Sequence, residues 1–231
     1  MFRSFYRAYA KRREEQKLAN QIVRLGKWYE PLHGDTVLQT LVDEIIQGCG
    51  ISLFVETGTF VGDTSKYIAL RHPNLKVLTC EINHRWLKLA KRFCQGIDNI
   101  EFFEGQSPLF LQQVCDILRP SNTHKALFLL DAHWNDYWPL FDETKIVSSL
   151  PAYVVFIDDF EVPDKPIFHY DNYQGIKNCL ATHAGVLGDG CYVPNYDPDY
   201  ACKSPSGYGV FFKNVDYTSL QSIGYLRKLL L

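Results

Sequence analysis

Two sets of residues in this chain have types and spacings that could do chemistry. The first is Glu56-x-Gly58-x-x-x-Gly62, followed by Asp63, Thr64 and Ser65. Glycines at these positions let the backbone turn sharply and let a ligand lie against it. The polar triplet supplies caps for a helix start. The spacing is not the Gly-x-Gly-x-x-Gly that grips a pyrophosphate. A pyrophosphate wants bare backbone N–H groups, and an acid two residues before the first glycine would repel it. The same acid suits a ligand carrying an ammonium group. The second set is a series of acids at the ends of short apolar runs: Glu81, Glu104, Asp131 and the pair Asp158-Asp159. Carboxylates gathered in one place repel each other unless something positive sits among them. A divalent cation, a sulfonium, an ammonium or ribose hydroxyls would serve.

The elements that must position these residues alternate along the chain. Leu53-Phe54-Val55 suits a buried parallel strand, and the helix after the glycines runs to Arg71, before His72-Pro73. A second strand, 76–81, precedes a helix capped by Asn83 that reaches Gln95. A third strand, 100–104, is followed by a helix with Pro108 in its first turn. A fourth strand, 126–131, a helix over 139–149 and a fifth strand, 153–158, complete the alternation. This pace predicts an α/β fold: a Rossmann-like parallel sheet with helices on both faces, its ligands at the carboxyl ends of the strands. A helix over 174–183 and two antiparallel strands, 190–193 and 208–212, are expected to close the fold as a C-terminal hairpin. The acids then gather along one edge of the sheet. Glu81, about 20 residues beyond the glycine loop, can accept both hydroxyls of a ribose.

Composition bounds the rest. The 231 residues fit one α/β domain, 49–231, with an N-terminal helical extension, 1–48. A formal charge of −2 gives no global basic field for nucleic acid. Seven cysteines without a Cys-x-x-Cys pair read as free thiols in a reducing compartment, the cytoplasm. No apolar run approaches a membrane span. Residues 1–30 carry eight Lys/Arg against three Glu, with Phe2, Phe5, Tyr6, Tyr9 and Leu18, Ile22, Leu25 at helical spacing. This basic amphipathic segment is expected to pack on the domain or on a second copy, making a homo-oligomer, or to meet an anionic membrane surface. A second helix, 35–47, is ended by Gly48 and Gly50.

With Glu56, the two glycines and the strand before them, the first stretch resembles the first motif of class I S-adenosylmethionine-dependent methyltransferases. The resemblance implies that Glu56, Thr57, Gly58, Thr59, Gly62, Asp63, Thr64 and Ser65 form the cofactor loop. It implies that Gln106 and Ser107 lie at the adenine ring, and that Asp131 borders the cofactor. Asp131-Ala132-His133-Trp134-Asn135 and Asp158-Asp159 are similar to the metal-binding segments of catechol O-methyltransferase and its relatives. That likeness implies Asp131, Asp158 and Asp159 as ligands of Mg²⁺ or another divalent cation. The cation would lower the pKa of a substrate hydroxyl and hold its oxygen in line with the methyl group. The pattern is also similar to uncharacterised bacterial methyltransferase-like proteins.

This sequence departs from the family in an inserted Ala132, in Asn135 where the catalytic lysine would stand, and in Asp159 in place of an Asn. His133 is then the candidate base, beside Asp131, because an imidazole can take a proton near neutral pH. Lys165 and His169 are weaker candidates. The loops over the strand ends, rich in Trp, Tyr, Phe and His, suit a small hydroxylated acceptor. Two alternatives stay open: a metal-independent methyltransferase on another acceptor, and a non-catalytic relative acting through its basic N-terminal helix.

Overall fold

The computed structural model describes Lys17 and residues 30–120, 124–133, 137–198 and 205–231. The expected basic helix within 1–30, and Trp134 and Asn135, lie outside the described residues apart from Lys17 and Glu30. A 3-10 turn, Pro31–Gly34, leads into helix α1, Thr36–Gly48. Asp35 caps α1 by accepting from the N–H groups of Val37 and Leu38, both at 3.0 Å. Then β1 (Leu53–Thr57), α2 (Asp63–Arg71), β2 (Lys76–Glu81), α3 (His84–Phe93) and β3 (Ile100–Glu104) follow. α4 (Ser107–Leu118), β4 (Ala126–Leu130), α5 (Leu140–Ser148) and β5 (Tyr153–Ile157) complete the alternation. Asn83 caps α3 as its sequence predicts, accepting from Arg85 and Trp86.

The five strands pair in parallel in the order β3-β2-β1-β4-β5. The chain runs outward from β1 and then crosses back to lay β4 on its other side. Strand order therefore reverses between β1 and β4, and the crevice outside the carboxyl ends at such a point is where open α/β sheets bind ligands.

The last third departs from expectation in two places. Helix α6 begins at Leu180, not Gln174, and ends at Leu187. Gln174 (φ 51°) and Gly175 (φ 88°) are both left-handed. They make a tight turn between the two-residue strands β6 (Asn172–Tyr173) and β7 (Ile176–Lys177). The expected antiparallel strands are β8 (Gly190–Pro194) and β9 (Gly209–Lys213), with β9 against β5. A third, β10 (Leu226–Leu230), pairs with β8 at the sheet edge, so the closing unit has three strands. Of β10 only Leu226 is buried, which leaves an edge strand little apolar alternation to announce it.

Each central strand is buried on both faces, which is why it reads as a continuous apolar run. β4 sends Phe128 and Leu130 into a core with α4, α5 and α6, and Leu127 and Leu129 into a second core with α1 and α2. Helix α1 thus shares its core with the sheet. Among the described residues, no helix is long and apolar enough to cross a membrane.

Two local features have measurable consequences. Gly58 has φ +86°, and a Cβ there would stand 2.4 Å from the Asp131 carbonyl oxygen. The glycine is thus required by the chain leaving β4, not by a ligand alone. Gly50 has φ +68° with nothing within 4 Å of a Cβ. Gly50→Ala should therefore cost only the left-handed penalty, about 1 kcal/mol, and Gly58→Ala more than about 3 kcal/mol. Equal losses in urea unfolding would refute the close-approach argument.

Glu143 on α5 is fully buried, and the nearby Thr57 and Ser107 hydroxyls close no hydrogen bond to it. Burial pushes its carboxyl up to about 7. A carboxyl raised in the folded state destabilises it once pH exceeds the unfolded value, and the full penalty applies above the folded one. Glu143→Gln should match the parent near pH 4.5 and exceed it by on the order of 3 kcal/mol at pH 8. A pH-independent difference in chemical denaturation would contradict this.

Candidate active site

A cavity of about 580 Å³ opens over the carboxyl ends of the parallel strands, within the range of small-molecule sites. Its walls come from the loops after all five parallel strands and from the Pro31–Gly34 turn.

On one side stands the β1–α2 loop. Glu56 is buried, and its Oε2 accepts from Ser65 Oγ at 2.5 Å and Thr79 Oγ1 at 2.7 Å. Burial pushes its carboxyl up to about 8, against these two hydrogen bonds. Gly62, not a side chain, precedes α2, so the expected caps are used elsewhere. Ser65 holds Glu56, and Thr64 Oγ1 accepts from the Leu32 N–H at 3.1 Å. A Cβ on Gly62 would lie 3.1 Å from that of Ala90, so this glycine serves the packing of α2 on α3. Glu81 accepts from the Phe60 N–H with one oxygen and the Asn83 N–H with the other, both at 2.8 Å. These donors fix the carboxylate at the cavity wall and leave a further lone pair on each oxygen. Beside it the Phe60 and Trp86 rings lie 4.5 Å apart.

On the other side lies a cluster of acids and imidazoles. His33 Nε2 is 2.9 Å from Asp158 Oδ2. His133 Nε2 is 3.0 Å from Asp131 Oδ1 and 3.5 Å from Asp159 Oδ2, and its Nδ1 is 3.0 Å from Asp171 Oδ2. Ser206 Oγ accepts from the Asp159 N–H at 3.0 Å and donates to Asp159 Oδ1 at 2.5 Å. The Asn178 side-chain amide donates to the carbonyls of Asp158 and Asp159, at 2.8 and 2.9 Å. The Asp158 carboxylate, against the effect of burial, lifts His33 to about 10. The hydrogen bonds to Asp131 and Asp171 lift His133 to about 11. Burial raises Asp131 to about 7, whereas at Asp158 burial is opposed by the charge and hydrogen bond of His33 together with Asp131 and His133, which hold the carboxyl below its usual range. Burial and the Asp158 charge raise Asp159.

The carboxylates around the His133 imidazole thus push it well above the neutral range in which a free imidazole takes up a proton.

Most residues singled out in the sequence line the cavity. Glu56, Gly58, Thr59, Asp63 and Thr64 do so from the first loop, with Glu81 and Ser107 beside them. Asp131, His133, Asp158 and Asp159 line the far side. Thr57, Gly62, Ser65 and Gln106 do not. Ser107 is the first residue of α4 and caps nothing. Glu104 ends β3 opposite Glu81, in the expected row, but its side chain pairs with His84 of α3 and does not line the cavity. Lys165 is committed to Asp197 at 2.7 Å, while His169 lines the cavity.

No local pattern singles out His33, Asp171, Asn178 or Ser206, which folding brings to the site. Backbone strain marks it instead. Seven described residues other than glycine have positive φ, and four of them, Leu32, His33, Phe60 and Asp159, line the cavity. Such conformations persist where the surroundings fix them, and they concentrate at functional sites.

No protein-family model matches the sequence, and no curated protein does. Solved structures do match. An O-methyltransferase from Bacillus cereus, in complex with SAH, superposes with a TM-score of 0.53 at 17% identity, covering 85% of this chain and 90% of that one. The methyltransferase domain of bacterial CtHen1 gives 0.53 at 12% identity, covering 79% and 98%. Spermidine synthase from Thermotoga maritima gives 0.51 at 11% identity, covering 79% and 61%. At these identities the likeness is one of fold. The mixed eight-stranded sheet and its switch point give this chain the Rossmann-like fold that these methyltransferases and the spermidine synthase share.

Proposed function

We propose that this chain is an S-adenosylmethionine-dependent methyltransferase that methylates a hydroxyl of a small molecule with the help of a divalent cation. The observation that carries the reading is that Glu56 and Glu81 share one cavity with Asp131, Asp158 and Asp159. The residues fit the cofactor. Glu81 is fixed as an acceptor for a ribose diol, Phe60 and Trp86 offer an apolar wall for a flat ring, and Glu56 offers a buried partner for an ammonium. They also offer oxygens to a cation, since Asp131 forms one close group with Asp158 and His33 and another with Asp159 and His133.

When bound, the cofactor supplies a methyl carbon on a sulfonium: the acceptor oxygen forms the new C–O bond, the C–S bond breaks, and its electron pair stays on sulfur as the thioether of S-adenosylhomocysteine. A cation among the acids supplies a Lewis acid that favours loss of the hydroxyl proton. Asp131, hydrogen-bonded to His133 at the cavity wall, is the group placed to receive that proton. Asp171 anchors His133 from behind.

A second reading, metal-independent transfer, is favoured by one observation. His33 and His133 already set positive charge against the acids. Calorimetry with S-adenosylhomocysteine, in Mg²⁺, in Co²⁺ and in EDTA, separates the two. The metal-assisted reading predicts micromolar binding that tightens with at least one of the cations, and loss of that gain in Asp158→Asn. The same affinity in all three buffers would select the second reading, and no binding in any would remove both.

A pH dependence follows from Glu56. Its carboxyl titrates near 8 in the free protein, and an ammonium ligand binds the carboxylate, so complex formation must release a proton. Affinity should rise from pH 6 to pH 8, approaching tenfold per unit, and Glu56→Gln should bind weakly with a flat profile. A flat profile in the parent protein would refute the ammonium role.

A further inference from the structure

We infer that the acid cluster is a mixed imidazole–carboxylate cation site, with His33 and His133 as ligands beside the aspartates, built for a borderline transition-metal ion rather than magnesium. This rests on the metal-assisted reading and deepens it by naming the class of ion. His33, Asp131 and Asp158 each present a ligand atom within 4.8 Å of the others, as do Asp131, His133 and Asp159. The two triads share Asp131. Around an ion with bonds of about 2.1 Å, neighbouring ligand atoms lie about 3.0 Å apart in an octahedron and about 3.4 Å in a tetrahedron. The imidazole–carboxylate separations here are 2.9, 3.0 and 3.5 Å. Within each triad the imidazole and carboxylate atoms already stand at the edge lengths of a coordination shell, and Asp131 is common to both.

Two independent features point the same way. His133 turns Nε2 toward Asp131 and Asp159, and its other ring nitrogen meets the Asp171 carboxylate at 3.0 Å. A carboxylate behind the imidazole is the arrangement that fixes the tautomer and aim of a metal-bound histidine. His33 reaches the cluster from a turn in which it and Leu32 are both left-handed, at φ 59° and 52°. That turn is clamped by the Leu32 N–H on Thr64 and by the Gln39 amide on the Pro31 carbonyl at 2.9 Å. The strained backbone is held in the one place that delivers an imidazole to Asp158. Ligand type then sets the ion. Magnesium takes oxygen donors and keeps its waters, whereas imidazole suits iron, cobalt, nickel and zinc.

The same short distances would also serve shared protons, and metal titration of the full-length protein tells the two apart. Binding of Co²⁺ and of Mg²⁺ is measured by calorimetry for the parent, His33→Ala and His133→Ala, with the visible spectrum of the Co²⁺ form as a second readout. S-adenosylhomocysteine affinity and Tm serve as folding controls, and His33→Asn replaces any alanine variant that unfolds. The expected result is one Co²⁺ per chain. Each histidine substitution should weaken Co²⁺ at least tenfold and change its spectrum, while Mg²⁺ affinity changes less than threefold. Unchanged Co²⁺ affinity in both variants overturns the inference. So does an equal loss for both ions, which would make the histidines positioning residues for the acids. If no cation binds while S-adenosylhomocysteine still does, this inference fails and methyl transfer stands. If cations bind as expected and S-adenosylhomocysteine does not, the methyltransferase reading fails instead.

Discussion

The structure depends on how negative charge is managed at the carboxyl ends of β1, β2, β4 and β5. Glu56, Glu81, Asp131, Asp158 and Asp159 meet around one cavity, and burial alone would drive such groups to neutrality. Each is handled differently. Glu81 is stabilised by two backbone N–H groups. Glu56 receives two hydroxyls yet remains close to neutral. Asp158 is kept ionised by His33, and Asp131 shares a hydrogen bond with His133. A cavity so lined suits a ligand that carries positive charge, as a sulfonium, an ammonium and a metal ion all do.

The parallel half of the fold was legible because its strands are buried on both faces and its helices carry recognisable caps. Phe54-Val55, the Ala126–Leu130 run and Asn83 speak for themselves. Gly58 and Gly62 were equally visible, but their reasons were not. Gly58 yields to the carbonyl of Asp131 and Gly62 to Ala90, neighbours that only the folded sheet supplies. The C-terminal third was less legible because Gln174-Gly175 spends its residues on a turn and β10 buries too little to show a pattern.

The site divides along the same line. Its acids were found because they end apolar runs. Asn178 and Ser206 act on the backbone and side chain of the Asp158-Asp159 turn from 20 and 47 residues away, and His33 acts on Asp158 from 125 residues away. None has a local pattern. The consequence for chemistry is direct, since the imidazole count of the cluster changes both its charge and the ions it can hold. Fold likeness cannot supply that detail. The same sheet is shared with an O-methyltransferase and a spermidine synthase at 17% and 11% identity, and only the side chains at the crevice distinguish one chemistry from another.

The most direct test of the account is a crystal structure of the protein with S-adenosylhomocysteine and Mn²⁺, with anomalous differences collected at the manganese edge. The account predicts the nucleoside at Glu81, the amino acid end toward Glu56, and an anomalous peak among Asp131, Asp158 and the imidazoles of His33 and His133. A nucleoside bound outside this cavity, or a cavity filled by solvent alone under saturating ligand, would contradict it.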